Sequence, residues 1–249
     1  MKRILVVNPN TSPAVTDKIR RAAVAASRRD TLVEVVMAAY GPESIEGEVD
    51  EVIAAHAVVE SIARLSPGYD AAVIACFSDP GLRAAREACR QPVVGIAESS
   101  LLLAHGTGLP FSLLSNMPED EAVFRRLARS LGLDPHLRGV HATGFPVAAF
   151  GGGDREALSA LDSTARRAVQ EGARLLCLAC AGMSGLSAPL AAITGVPVLD
   201  GVACGVKMAE LRLDLGLLQP EGGPFRRGQP RRYVAGFGSA LERLYDGDR

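Results

Sequence analysis

The chain has 249 residues, of which 48% are hydrophobic and 22% are charged, so it carries enough apolar side chains to bury a core. Its 27 basic and 28 acidic residues give a formal net charge of −1, which supplies no electrostatic basis for binding nucleic acid. No apolar run reaches the roughly 18 residues of a membrane span, and "MKRILVVNPN" lacks the core of a signal peptide. The five cysteines therefore indicate reduced thiols and a cytoplasmic protein.

Short aliphatic runs alternate with helical segments through the first half of the chain, as in α/β proteins. The runs are continuously apolar, which is typical of parallel strands covered on both faces. Ser12 and Pro13 suit the N-cap and first position of the first helix. The pattern predicts strands at 3–7, 32–38, 70–77 and 92–97, and helices at 12–29, 49–65 and 81–89.

The second half repeats this order of elements. Its predicted strands are 111–115, 136–144, 174–181 and 197–203, and its predicted helices are 119–132, 154–172, 187–194 and 205–217. The stretch "ILVVNPN" corresponds to "SLLSNMP", and a cysteine follows the third strand of each half. We therefore expect two similar Rossmann-like lobes with parallel four-stranded sheets, related by a pseudo-two-fold axis, with the active site between them. The first lobe would take residues 1–98 plus a C-terminal segment of about 206–249, and the second would take 99–205.

Two cysteines stand in matching frames, in "VIACFSDPGL" and "LACAGMSGL". Cys76 and Cys180 each end an apolar run and precede a helix, and ligands of parallel sheets bind at that edge. A helix N-terminus lowers the pKa of a nearby thiol. Thiols facing one ligand from two lobes are suited to inverting an acidic carbon, because one removes a proton and the other delivers one. The structural alternative is that each cysteine is a small buried apolar residue.

The remaining cysteines favour structural roles. Cys177 and Cys180 form C-L-A-C, which raises a redox or metal site as an alternative. In an extended strand, however, the two residues would lie about 10 Å apart and on opposite faces. The four histidines form no ligand cluster with them in the sequence, so we expect no metal.

Several motifs together resemble one known family. "NPNTS", "CFSDPGL" with "PVVGIAESS", and "CAGM" followed by "GVPVLDGV" are similar to the hydantoin racemase family of the aspartate/glutamate racemase superfamily. The similarity runs from Val7 to about Leu217. It implies a two-lobed α/β fold, racemisation without a cofactor, and Cys76 and Cys180 as the two bases. Relatives in this family also tend to form homo-oligomers, so we expect one here.

The resemblance also suggests residues that contact the substrate. Asn10 matches the loop after the first strand, although Asn and Pro favour plain turns in any protein. Backbone N–H groups after each cysteine suit an oxygen on which enolate charge develops. The predicted substrate-binding residues are Asn10, Ser78, Asp79, Ser115, Asn116, Ala181, Gly182 and Met183. For Met183, a role as core filler is the alternative.

The function that follows is a racemase acting on a substituted hydantoin or on allantoin. The candidate loops contain no Arg or Lys, which favours a neutral ring over a dicarboxylic amino acid. The alternatives are an aspartate/glutamate-type racemase and a binding protein that has kept the cleft without the reaction. All three take a small-molecule ligand.

Overall fold

Residues 1–218 are described by a computed structural model, and they begin with a four-stranded parallel sheet. Its strands are β1 (Lys2–Asn8), β2 (Thr31–Met37), β3 (Ala71–Ile74) and β4 (Val93–Gly95), in the order β2-β1-β3-β4. The helices that follow these strands are α1 (Pro13–Ala26), α2 (Glu48–Leu65), α3 (Leu82–Ala88) and α4 (Ile96–Gly106). The predicted cap of α1 is confirmed, since the Ser12 side chain accepts a hydrogen bond from the Val15 N–H.

A second parallel sheet follows with the same topology. Its strands are β5 (Phe111–Ser115), β6 (Leu137–Ala142), β7 (Leu175–Leu178) and β8 (Val198–Asp200), in the order β6-β5-β7-β8. The helices are α5 (Asp120–Ser130), α6 (Val147–Gly152), α7 (Arg155–Gln170), α8 (Ser187–Thr194) and α9 (Gly201–Asp214). Because the two strand orders are equivalent, the predicted α/β fold with two similar lobes is confirmed.

Two differences from the predicted elements have local causes. Helix α4 was not predicted, because its mostly apolar sequence continues directly from β4 without a break. Strand β8 ends earlier than predicted, because the Asp200 side chain accepts hydrogen bonds from the N–H groups of Val202 and Ala203 and so starts α9.

The core is continuous between the lobes. One cluster of buried side chains contains Val73 of the first sheet, Leu113 of the second, and Val206 of α9. Helices α4 and α9, which follow equivalent strands, pack on each other. Gly205 permits this close approach, since a Cβ there would lie 2.8 Å from Val73 Cγ1 and 2.9 Å from Ile96 Cγ2.

The division of the chain into lobes stays a prediction. Helix α9 packs on α1, α4 and β3, which agrees with a C-terminal segment that joins the first lobe. The greater part of that predicted segment, residues 219–249, lies outside the described residues. Among the helices of residues 1–218, none is long and apolar enough to span a bilayer.

Candidate active site

The two matching cysteines occupy equivalent positions at the carboxyl ends of β3 and β7. The Ala75 N–H donates to the Val7 carbonyl at 2.9 Å, and the Ala179 N–H donates to the Leu114 carbonyl at 2.8 Å. Cys76 and Cys180 are the next residues along the chain, so they lie at equivalent positions just beyond the two sheets. Residues of parallel sheets that face ligands lie at this edge.

A tight turn follows each cysteine in the same way. The Asp79 N–H donates to the Cys76 carbonyl and the Met183 N–H donates to the Cys180 carbonyl, both at 3.0 Å. The Gly182 N–H donates to the Cys180 sulfur at 3.3 Å. At Cys76, hydrogen bonding by the Ser78 backbone lowers the thiol pKa, and Ser78 Oγ lies 3.5 Å from the sulfur. Each sulfur thus has a polar neighbour in its own turn.

Both cysteines line one cavity between the lobes, with about 720 Å³ of empty space that includes its open mouth. Seven predicted site residues line it, namely Asn10, Cys76, Ser78, Asn116, Cys180, Ala181 and Gly182. Among the cavity-lining residues of the described chain there is no Lys, Arg or His.

The two asparagines follow the first strand of each lobe and are anchored by local hydrogen bonds. Asn10 Oδ1 accepts from the Asn8 side chain at 2.8 Å and from the Ser12 N–H at 3.0 Å. Its amide nitrogen is therefore the side-chain group left to donate to a ligand. Asn116 Nδ2 donates to the Phe145 carbonyl at 3.2 Å.

Three predicted contact residues are absent from the lining of this cavity. The Asp79 carboxylate caps α4 by accepting from the N–H groups of Ala97 at 3.0 Å and Glu98 at 2.8 Å. Ser115 is fully buried, and its hydroxyl donates to the Met117 carbonyl at 3.4 Å. Met183 is fully buried in the core of the second lobe. Their substrate contacts stay predictions.

Each cysteine turn is covered by the first helix of the opposite lobe. From α1, Lys18 Nζ donates to the carbonyl of Gly182 at 3.2 Å and to the carbonyl of Phe150. From α5, the Phe124 ring meets the Phe77 ring edge-on, with centroids 5.2 Å apart. The cavity walls therefore depend on how the two lobes are packed together.

The family model of Asp/Glu/Hydantoin racemases matches residues 4–209 of this chain. The chain belongs to this family. A hydantoin racemase of Pseudomonas sp. (strain NS671) is 38% identical over 234 residues, covering 93% of this chain and 94% of that protein. A hydantoin racemase of Paenarthrobacter aurescens is 34% identical over 235 residues, covering 93% and 100%.

Solved structures agree with this assignment. The allantoin racemase of Klebsiella pneumoniae is 37% identical and superposes with a TM-score of 0.92, covering 96% of this chain and 99% of that one. The prediction of an isomerase, a racemase of the Asp/Glu/Hydantoin family, is thereby confirmed.

The thiols of this racemase are poorer acids than the sequence suggested. Burial raises the pKa of Cys76 to about 11, against hydrogen bonds from Ser78. Burial raises the pKa of Cys180 to about 12, and the charge of Cys76 contributes in the same direction. The expected lowering by a helix N-terminus is absent at Cys76 because α3 begins only at Leu82, and the helix dipole acts within its first turn.

The acidic side of the cavity was not predicted from the sequence. Glu46, Glu51 and Asp120 line it, from the loop before α2, from α2 and from α5. Burial raises the pKa of both Glu51 and Asp120. Acidic residues in the first turn of a helix are common for electrostatic reasons, so "EGEVDE" and "PEDE" carried no specific indication of a site.

The other cysteines lie outside the cavity. Cys89, Cys177 and Cys204 are buried, and Cys177 lies within β7. Within residues 1–218, no group of three or more His, Cys, Asp and Glu side chains is arranged to hold a metal ion.

Proposed function

We propose that this racemase inverts the acidic carbon next to a carbonyl in a substituted hydantoin ring, allantoin included, by proton transfer between two cysteines. The observation that carries the proposal is the equivalent placement of Cys76 and Cys180 on two lobes at one cavity. The two thiols also lie close enough for the charge of Cys76 to raise the pKa of Cys180.

In the proposed reaction, the thiolate of one cysteine takes the proton from one face of the ring carbon. The electron pair of the broken C–H bond delocalises onto the neighbouring carbonyl oxygen as an enolate. The thiol of the other cysteine then protonates the opposite face and becomes the thiolate. For the reverse reaction the two roles exchange, so the active enzyme carries one thiolate and one thiol.

Main-chain and amide donors support this chemistry. The Gly182 N–H donates to the Cys180 sulfur, and hydrogen bonding by Ser78 lowers the pKa of Cys76, so each turn favours the thiolate form of its cysteine. The amide nitrogen of Asn10 suits a ring carbonyl, and Asn116 lines the cavity at the equivalent strand end of the other lobe. These donors match a ring rich in carbonyl groups.

The charges of the cavity disfavour aspartate and glutamate as substrates. Three carboxylic residues, Glu46, Glu51 and Asp120, line the cavity, and no basic residue joins them among the described lining residues. A substrate carboxylate would be desolvated next to like charges with no paired cation. A neutral imide ring avoids this cost.

A panel of single enantiomers tests the substrate class. Allantoin, 5-methylhydantoin, 5-benzylhydantoin, L-aspartate and L-glutamate are incubated with the enzyme, and the loss of optical rotation is followed. We expect turnover of at least one ring compound and none of the two amino acids. Turnover of aspartate or glutamate alone would establish the amino-acid racemase, and ligand binding without turnover would establish a binding protein.

Replacing each cysteine tests the two-base step. Cys76→Ala and Cys180→Ala each remove one base, and we expect racemisation to fall by at least about 10³-fold, as for loss of a general acid–base group. Each variant should still exchange the ring hydrogen of one enantiomer in D2O, followed by proton NMR. Cys177→Ala, in the strand beside the site, is the matched control and should racemise normally. Unimpaired racemisation by either active-site variant would refute the mechanism.

A further inference from the structure

The turns after the two cysteines differ at the position two residues beyond each cysteine. Ser78 follows Cys76 by two residues, and Gly182 follows Cys180 by two residues. Ser78 Oγ lies 3.5 Å from Cys76 Sγ, within the range of a hydrogen bond to sulfur. Glycine provides no hydroxyl at the equivalent place, so the two thiols have different neighbours.

The Ser78 hydroxyl also acts on a carboxylate. Glu51, in the first turn of α2, has its pKa lowered by hydrogen bonding with the Ser78 side chain, against the effect of burial. It is half-buried and lines the same cavity. The positive charge of Arg126, an exposed residue of α5, also lowers the pKa of Glu51. Glu51 is thus coupled both to the Ser78 side chain and to an exposed charge.

We propose that Glu51 and Ser78 form a proton relay that connects Cys76 to solvent at the cavity mouth, while Cys180 has no such relay and keeps the proton it takes. The proposal rests on the proposed function above. It makes the two bases unequal, although the lobes that carry them are alike in topology.

The relay conserves protons at every step. When the Cys76 thiol loses its proton, the proton passes to Ser78 Oγ as the Ser78 proton passes to the Glu51 carboxylate. The resulting carboxylic acid releases its proton to water at the mouth, and the same steps run backwards to reload the thiolate. Burial raises the pKa of Glu51, which makes its carboxylate a better acceptor for a proton from the relay.

Cys180 has surroundings of a different kind. It is only 8% exposed, and its sulfur accepts from the main-chain N–H of Gly182, which cannot pass a proton onward. The carboxylate whose charge acts on Cys180 is Asp120, and its Oδ2 already accepts from the N–H groups of Asn116 and Met117. A proton taken by Cys180 therefore returns to the ring carbon before it is exchanged.

The charges around the two thiols predict how the thiol pKa responds to each relay variant. The charged and titratable groups near the pair are Lys18, Glu46, Glu51, Asp79 and Asp120. The negative charge of Glu51 raises the pKa of Cys76, and the Ser78 hydrogen bonds lower it. Removing the two relay groups should therefore move this pKa in opposite directions.

A test without substrate measures the rate of Cys76 alkylation by iodoacetamide against pH, with peptide mapping by mass spectrometry. We expect Glu51→Gln to shift the profile to lower pH and Ser78→Ala to shift it to higher pH, each by about 0.5–1 unit. Glu60→Gln, which removes a charge from the same helix but outside the cavity lining, should leave the profile in place. Shifts in the same direction, or none, would overturn the relay.

A test of proton transfer follows deuterium in D2O, starting from each enantiomer of 5-methylhydantoin and of allantoin. We expect the unreacted substrate to gain deuterium several-fold faster from the enantiomer that Cys76 deprotonates. Cys180→Ala identifies that enantiomer, because only Cys76 then exchanges hydrogen. Ser78→Ala should reduce the difference between enantiomers to near unity.

The reverse substitution places a hydroxyl on the other side. A Cβ at Gly182 would lie 3.3 Å from the Val147 carbonyl and 3.4 Å from Cys180 Sγ, which small shifts accommodate. Gly182→Ser should raise deuterium in the other enantiomer, whereas Gly182→Ala controls for bulk and should not. If the wild type racemises neither hydantoin, the proposed function fails and the alkylation test still decides the relay. Equal deuterium gain from both enantiomers during normal racemisation refutes the relay alone.

Discussion

The chemistry of this site depends on how burial changes the pKa of its two thiols. Desolvation disfavours the charged form of any acid, and it outweighs the hydrogen bonds that Ser78 and Gly182 give to the sulfur atoms. In the ligand-free protein both Cys76 and Cys180 are therefore mainly protonated at neutral pH, so the form with one thiolate is a minor species.

The raised pKa values of the two thiols predict how kcat/KM depends on pH. Both pKa values are raised, to about 11 and about 12, so the singly ionised pair accumulates as pH rises. We expect kcat/KM to increase by up to about tenfold per pH unit from pH 6 to 9, because the pair titrates as one coupled system. Initial rates of optical-rotation loss measure this, and the ionisation of the substrate is titrated separately by ultraviolet absorbance. A profile that is flat from pH 6 upward would contradict the raised thiol pKa.

Among the secondary-structure elements, the start of α4 holds the first cysteine turn in place. Asp79 adopts a left-handed backbone conformation, with φ of 50°, and its side chain caps α4. Gly95 makes room for that carboxylate, since a Cβ there would lie 2.1 Å from Asp79 Cγ. The turn after Cys76 and the entry to α4 therefore form one structural unit.

Gly95→Ala should break this unit. The added methyl group forces the Asp79 carboxylate off its two N–H donors, and we expect a loss of about 1–3 kcal/mol in unfolding free energy, from overpacking and a lost cap. Urea denaturation followed by circular dichroism measures it. Gly106→Ala, at the other end of α4 with no atom within 4 Å of the new Cβ, is the control and should leave stability nearly unchanged. Equal stability of the two variants would show that Asp79 has another position available.

The order of elements was predictable from the sequence because each strand is a continuous apolar run. The repeated order of the halves and the position of Cys76 and Cys180 at strand ends follow from that pattern. Helix α4 was missed because nothing in "GIAESS" separates it from β4. The acidic lining was also missed, because Asp120 belongs to α5 and comes to line the same cavity as Cys180 only through the fold. A linear pattern carries no information about such a contact.

On the scale of the whole molecule, the cavity exists only while the two lobes stay packed together. Helix α1 lies against the 3-10 turn Ala181–Met183 and α6 of the second lobe. A single apolar cluster links the sheets, and Arg126 of α5 pairs with Glu48 of α2 at 2.8 Å. Any loosening between the lobes would separate the two thiols, and under the proposed two-base mechanism racemisation would then stop even with each turn intact.

Self-association is a separate property of the whole chain. The homo-oligomer expected from the family resemblance stays a prediction, as does the cytoplasmic location. Light scattering coupled to size-exclusion chromatography of the full 249-residue protein measures the oligomeric state. We expect a mass of at least two chains, each of 26.1 kDa. Elution at a single-chain mass across micromolar concentrations would contradict it.

Lys18 provides the sharpest test of coupling between the lobes. Its ammonium group donates to two carbonyls of the second lobe, and burial lowers its pKa. Lys18→Met should cost about 1–3 kcal/mol in unfolding free energy, because the carbonyls of Gly182 and Phe150 lose a donor. It should also lower kcat by about tenfold, because loss of the bond to Gly182 would displace the Cys180 turn. A rise of about 1.4 kcal/mol in the activation free energy corresponds to that factor.

Arg20→Met is the matched control for Lys18→Met. Arg20 lies on the same helix and pairs with Asp17 within its own lobe, where both side chains are exposed. Because exposed ion pairs contribute little to stability, this variant should keep nearly wild-type unfolding and kcat. Thermal unfolding and racemisation rates of the two variants are compared with the wild type. If Lys18→Met loses stability but keeps kcat, the bond between the lobes supports the fold without positioning Cys180. If stability and kcat fall together, the packing of the lobes also positions Cys180 for the proposed reaction.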